Sequence, residues 1–141
     1  MTITYFAYAA NLDIPAMQAR CPGAEVLETA TLADYCLRVM REGWLSIAPM
    51  PGENVEGLLW RLQKEHLVAL DIYEDVADGL YTHEHLVVEN VEGTAVKALV
   101  YIGSNPGPGT LHREYGERVA RAAHDVLGAE AADRIRALRA S

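Results

Sequence analysis

The run Gly103-Ser104-Asn105-Pro106-Gly107-Pro108-Gly109 sets the terms for any fold of this chain. Proline and glycine at that density cannot sustain a strand ladder, so the run is a loop. The residues before it are strand-rich with helices inserted, and those after it are helical. Thr110 is predicted to cap a long helix that reaches Leu127 and stops at Gly128, and Ala129 to Arg139 reads as a last, polar helix.

Upstream of the loop, Thr2 to Tyr8 is β-branched and aromatic, which predicts a strand ending at Ala9-Ala10-Asn11. Asp13 caps a short helix with Pro15 in its first turn, and Cys21-Pro22-Gly23 ends it. Ala24 to Met40 alternates loosely, as one long bent strand or as two. Trp44 to Ala48 and Val55 to Leu62 read as strands joined in a hairpin by a turn at Pro51-Gly52-Glu53-Asn54. Lys64 to Asp75 has helical composition and is broken at Ala77-Asp78-Gly79. Tyr81 to Glu89 and Ala95 to Ile102 form a second hairpin around Asn90 to Gly93. This order predicts a single α+β domain over residues 1–141, with a sheet that curls into a small barrel.

Half of the 141 residues are hydrophobic and 23% are charged, enough to build a core. No apolar stretch approaches the roughly 20 residues that span a bilayer, and the first residues lack a basic leader. The expectation is a soluble cytoplasmic protein without a membrane partner. A net charge of −8 argues against nucleic acid, which demands a basic patch. The one basic cluster, Arg134, Arg136 and Arg139, is mixed with Glu130 and Asp133 and reads as a solvated helix face. Cys21 and Cys36 are expected to be reduced and structural, although Arg20 beside Cys21 would favour its thiolate.

Glu74 is the first candidate for chemistry. At 100° per residue it projects between Leu67 and Leu70, on an apolar stripe just before a break. Desolvation there would raise its pKa and suit it to proton transfer near neutral pH. Spacing alone leaves open a solvated or capping role, and Asp71 lies close to the same stripe. His83 and His85 share one strand face but lack further ligands at a metal-site spacing, so they read as surface histidines. His112 and His124 suggest nothing. The Gly-rich loop lacks the Lys-Ser/Thr of a phosphate loop, and no Gly-x-Ser-x-Gly elbow is present.

Several segments together resemble the gamma-glutamylcyclotransferase (AIG2-like) family. Tyr5-Phe6-Ala7-Tyr8-Ala9-Ala10-Asn11-Leu12 is similar to the family's opening Tyr-Phe-Ala-Tyr-Gly-Ser-Asn-Leu. Ser46 to Gly52 followed by Val55-Glu56-Gly57-Leu58-Leu59-Trp60 resembles its Pro-x-Pro-Gly and Val-x-Gly-x-x-Trp stretch. Leu70-Asp71-Ile72-Tyr73-Glu74 with Gly79 and Tyr81, then Tyr101 and the Pro-rich loop, resemble its later segments. The likeness is colinear from Tyr5 to about Gly128.

The resemblance implies a small mixed β-barrel with flanking helices. It implies an intramolecular reaction in which the α-amine of a gamma-glutamyl group attacks its own side-chain carbonyl, releasing 5-oxoproline and an amine or amino acid. Glu74 would be the acid/base, and backbone N–H groups of Ala9, Ala10 and Asn11 would hold a carboxylate or oxyanion. Tyr8, Tyr81 and Tyr101 would wall the pocket. No metal or cofactor is implied, and a homodimer is compatible with it.

Three departures qualify these expectations, one being that Pro106-Gly107-Pro108-Gly109-Thr110 stands where the family often has Pro-Ser-Pro-x-Tyr, which loses an aromatic. Ala9-Ala10 replaces the family's Gly-Ser, at a cost of roughly 1–2 kcal/mol if Ala9 needs positive φ. Asp75 replaces a glycine after Glu74, and its charge is expected to raise the Glu74 pKa further. The alternatives are amide hydrolysis or another lactam closure by the same glutamate, or a binding protein disabled at Ala9-Ala10.

Overall fold

Residues 2–138 are described by a computed structural model of the chain. Five strands form a closed barrel in the order β1-β3-β2-β4-β5: β1 (Ile3–Ala7), β2 (Glu25–Val39), β3 (Leu45–Leu62), β4 (Tyr81–Asn90) and β5 (Ala95–Gly103). Four α-helices accompany it: α1 (Ile14–Arg20), α2 (Lys64–Tyr73), α3 (Arg113–Leu127) and α4 (Ala129–Leu138). This is the expected α+β barrel with flanking helices. None of the described helices is long and apolar enough to cross a membrane.

β1 closes the barrel. It lies antiparallel to β3, with Tyr5 opposite Trp60, and parallel to β5, with Tyr5 opposite Leu99. Alternation along these strands feeds two cores on opposite faces. Phe6, Leu59, Val88 and Val100 belong to a cluster made of strand residues and Tyr8 just past β1, which is the barrel's filling. Tyr5, Trp60, Leu99 and Tyr101 join the other cluster, where Met17, Leu70, Val119 and Ile135 dock the helices. Gly57 makes the β1–β3 approach possible. A Cβ there would sit 2.5 Å from the Ala7 carbonyl oxygen and 2.6 Å from the Phe6 ring.

The hairpin predicted around Pro51-Gly52-Glu53-Asn54 is not formed. β3 runs straight through that segment, and both of its halves pair with the single long strand β2. The pairing slips between Ala33 and Tyr35, so that Asp34 alone faces Met50–Glu53. Asp34 (φ +66°) and Gly52 (φ +85°) both adopt left-handed backbone, and Gly52 N donates to Asp34 Oδ1 at 3.0 Å. The Pro-Gly pair is thus a bulge, where a proline without an N–H breaks no ladder bond. The true turn lies at Met40–Trp44, closed by Gly43 N donating to Met40 O at 2.8 Å.

Two helix ends differ from expectation. α3 begins at Arg113 rather than after Thr110, because the preceding loop is tied to the β2–β3 turn. His112 N donates to Gly43 O at 3.1 Å, and the His112 ring lies 4.4 Å from that of Trp44. α2 ends at Tyr73, with Glu74 as its C-cap, two residues short of the expected Asp75. Its start is secured by Gln63 N donating to the buried His66 Nδ1 at 2.9 Å. On α4, Arg136 pairs with Glu117 at 2.8 Å and Arg134 with Glu56 at 3.4 Å, whereas Arg139 lies outside the described residues.

Candidate active site

Leu70 anchors α2 to the core, and Glu74 comes one helical turn later, its N–H donating to Leu70 O at 2.8 Å. Asp75 then takes left-handed backbone at φ +56°, which ends the helix and turns the chain outward. The Glu74 carboxyl is left facing a cavity of about 520 Å³. Burial raises its pKa from 4.5 to about 7, partly opposed by the Arg20 guanidinium. The expected contribution of Asp75 to this rise is absent: its side chain is exposed, and desolvation alone raises Glu74.

Every site residue that the family resemblance implied lines this cavity: Glu74, Tyr8, Ala9, Ala10, Asn11, Tyr81 and Tyr101. In all, six of the chain's seven tyrosines line it. Three of them commit their hydroxyl protons to the scaffold. Tyr8 donates to Tyr101 O at 2.6 Å, Tyr81 to Leu45 O at 2.7 Å, and Tyr101 to Asp71 Oδ1 at 2.6 Å. The first two satisfy buried carbonyls, the third reaches the Asp71 carboxylate, and all three fix the rings as walls. Two others only accept: Tyr5 Oη from Asn11 Nδ2 at 2.9 Å, and Tyr115 Oη from Leu45 N at 3.3 Å. Burial, reinforced by the Glu74 charge, holds the Tyr5, Tyr8, Tyr81, Tyr101 and Tyr115 phenols well above the usual tyrosine range. They are neutral donors at any working pH.

On the same cavity as Glu74, Ala10–Leu12 form a 3-10 turn in which Leu12 N donates to Ala9 O at 3.0 Å. Ala9 has φ −136°, so the left-handed penalty considered for alanine at this position does not arise. The N–H groups of Ala10 and Asn11 open the turn and have no acceptor within it. Asn11 is buried, and its side chain is spent: Oδ1 accepts from Arg20 and Nδ2 donates to Tyr5. Trp60 Nε1 donates to its carbonyl at 3.2 Å. Asn11 therefore braces the turn and offers the cavity only its backbone.

Sequence reasoning missed Tyr5, Trp44, Tyr115 and Arg118, which are also among the wall residues. Tyr115 and Arg118 sit three apart on α3 and share a helix face, and Trp44 meets the Tyr115 ring edge-on at 4.9 Å. Their only local signal was that spacing, because α3 is brought to Trp44 by the long loop before it. Of the histidines, His83 lies 3.6 Å from Asp71 and edge-on to Tyr101, outside the cavity lining. His85 is exposed on β4. No three His, Cys, Asp or Glu residues among those described group to hold a metal ion. Both cysteines are free, and burial pushes the Cys21 thiol up despite Arg20, so the thiolate is not favoured there.

Comparison with known proteins bears on the family and the fold. A family model described as gamma-glutamyl cyclotransferase, AIG2-like, matches residues 5–123. The gamma-glutamylcyclotransferase of Mus musculus is 32% identical over 114 residues, covering 74% of this chain and 61% of the relative. That of Homo sapiens is 30% identical over 111 residues, covering 72% and 59%. The chain thus spans about three fifths of the length of these curated relatives. A solved gamma-glutamyl cyclotransferase superposes with a TM-score of 0.89 at 25% identity, over 97% of this chain and 88% of that one. An uncharacterized Homo sapiens protein superposes with a TM-score of 0.88 at 26% identity, over 96% and 87%.

Proposed function

The chain belongs to the gamma-glutamyl cyclotransferase, AIG2-like, family, and on that premise we propose that it closes gamma-glutamyl compounds to 5-oxoproline, releasing an amine or amino acid. The observation that carries this reading is Glu74: a carboxyl at the cavity with a pKa near 7, facing a turn with open N–H groups. Nucleophile and carbonyl are tethered in the substrate, so the protein's share is orientation, proton handling and charge stabilisation. Ionised Glu74 takes a proton from the substrate ammonium, gives it to the departing nitrogen, and then, ionised again, takes the second proton from the attacking nitrogen as the lactam forms. A pKa near neutrality serves both halves of that cycle. The N–H groups of Ala10 and Asn11 receive the substrate carboxylate, and the tyrosine walls exclude water around the reacting amide.

The test is direct. Incubating the chain with gamma-glutamyl amino acids, peptides and amines should release 5-oxoproline from at least one of them. Glu74→Gln should reduce the rate by about 10²–10⁴-fold. Absence of 5-oxoproline from the whole panel would overturn the reading, and water added without cyclisation would redirect it to amide hydrolysis.

A further inference from the structure

Tyr5 is the cavity residue that the Glu74 proton transfers leave without a task. Its Oη accepts from Asn11 Nδ2 at 2.9 Å, and Asn11 Oδ1 in turn accepts from the Arg20 guanidinium. Arg20 is itself held against Tyr73, its Cζ 3.6 Å from the ring centroid. A fixed cation is thus joined to a buried phenol through one amide. Electron density drawn toward Arg20 makes the Asn11 amide a better donor, and accepting from that amide makes the Tyr5 O–H a better donor in turn. No acceptor among the described residues takes the Tyr5 proton, while the cavity opens beside it.

We propose that Tyr5 is a catalytic hydrogen-bond donor of this site, serving the oxyanion that forms on the gamma-carbonyl, with Asn11 and Arg20 as positioning residues that polarise it. The assignment rests on the cyclotransferase reading. When the amine attacks, the new C–N bond forms and the carbonyl π pair moves onto oxygen. Tyr5 shares its proton with that oxygen without losing it. As the pair returns, the old C–N bond breaks and the leaving nitrogen takes a proton from Glu74, whose carboxylate then removes the second proton from the attacking nitrogen to leave the neutral lactam. Tyr8, Tyr81 and Tyr101 cannot serve, because their protons are already donated to Tyr101 O, Leu45 O and Asp71. Tyr115 retains its proton but accepts only a long bond from Leu45 N, and among the described residues no hydrogen-bonded side chain joins it to the nearby Arg118. The relay also separates two conflicting needs. A guanidinium placed on the oxyanion would press the nearby Glu74 toward ionisation at all pH values, whereas a neutral phenol strengthens donation and leaves the carboxyl able to carry a proton.

The full chain is tested with the fastest gamma-glutamyl substrate of the panel. Tyr5→Phe keeps the ring that packs edge-on to Tyr101 at 5.8 Å and removes only the hydroxyl. Its kcat is expected to fall about 10²–10³-fold with KM changed less than about threefold. Arg20→Gln, assayed on the alkaline plateau where Glu74 is ionised, is expected to lose about tenfold in kcat, and Arg20→Lys to recover most of it. A folded Tyr5→Phe with undiminished kcat, or with its loss confined to KM, overturns the assignment. If Tyr5→Phe does not fold, equal rates for Arg20→Gln and Arg20→Lys overturn it. A wild type that releases no 5-oxoproline overturns the cyclotransferase reading as well, so the two failures are told apart.

Discussion

The Tyr101 hydroxyl donates to Asp71 Oδ1 at 2.6 Å, and this bond joins the barrel to the helix that delivers Glu74. Asp71 lies three residues before Glu74 on α2, so whatever fixes Asp71 also fixes the helix end. Replacing Asp71 by Ala strands the Tyr101 hydroxyl and is expected to cost about 1–3 kcal/mol in urea unfolding. Asp71→Asn keeps an acceptor and should cost less than half of that. Both should lower kcat more than they raise KM, because the displaced group is the proposed proton carrier.

Under the proposed mechanism Glu74 sets the pH–rate profile. Ionised glutamate is required to take the ammonium proton, so kcat/KM should rise with pH to a midpoint near 7. Arg20 holds that pKa down, so Arg20→Met should move the midpoint to higher pH. A midpoint that stays in place would show that another group sets the profile.

Stability should depend on pH with a defined sign. The folded-state pKa of Glu74 is raised above the ordinary 4.5, so between about pH 4.5 and 7 the folded chain keeps a proton that the unfolded chain has released. The contribution of Glu74 is full below that window and lost as pH rises through about 7. Relative to Glu74→Gln, which cannot ionise, the wild type should lose up to roughly 3 kcal/mol across the window. Urea titrations of the two proteins at several pH values measure the difference.

Asp75 is exposed and holds φ +56°, a conformation that glycine adopts without a Cβ penalty. Asp75→Gly is expected to raise stability by about 0.5–1 kcal/mol in urea unfolding. Because the Asp75 charge does not act on Glu74, the pH–rate midpoint should not move. The family's glycine at this position thus has a backbone explanation, and its replacement by aspartate a tolerable one.

Much of the fold and site is legible in the residues alone. Asp13 caps α1 as expected, its Oδ1 accepting from Ala16 N at 3.2 Å, and Gly128 ends α3. Glu74 is placed on an apolar stripe by spacing and singled out by colinear motifs. The bulge at Pro51-Gly52 is not legible, because the same two residues serve a hairpin turn or a bulge depending on whether β2 is long enough to span both halves of β3. Tyr5 stands in a family motif, yet its role depends on Arg20 and Asn11, which the short helix α1 brings together.

The division has a physical basis. Backbone propensity, capping and apolar periodicity act between residues close in sequence, so the chain by itself determined its helices, most of its strands and the helix position of Glu74. Desolvation, hydroxyl pairing and bulge placement depend on atoms brought together from distant segments. Only the tertiary structure decided that burial rather than Asp75 raises Glu74, and that three tyrosine protons are committed while that of Tyr5 is not.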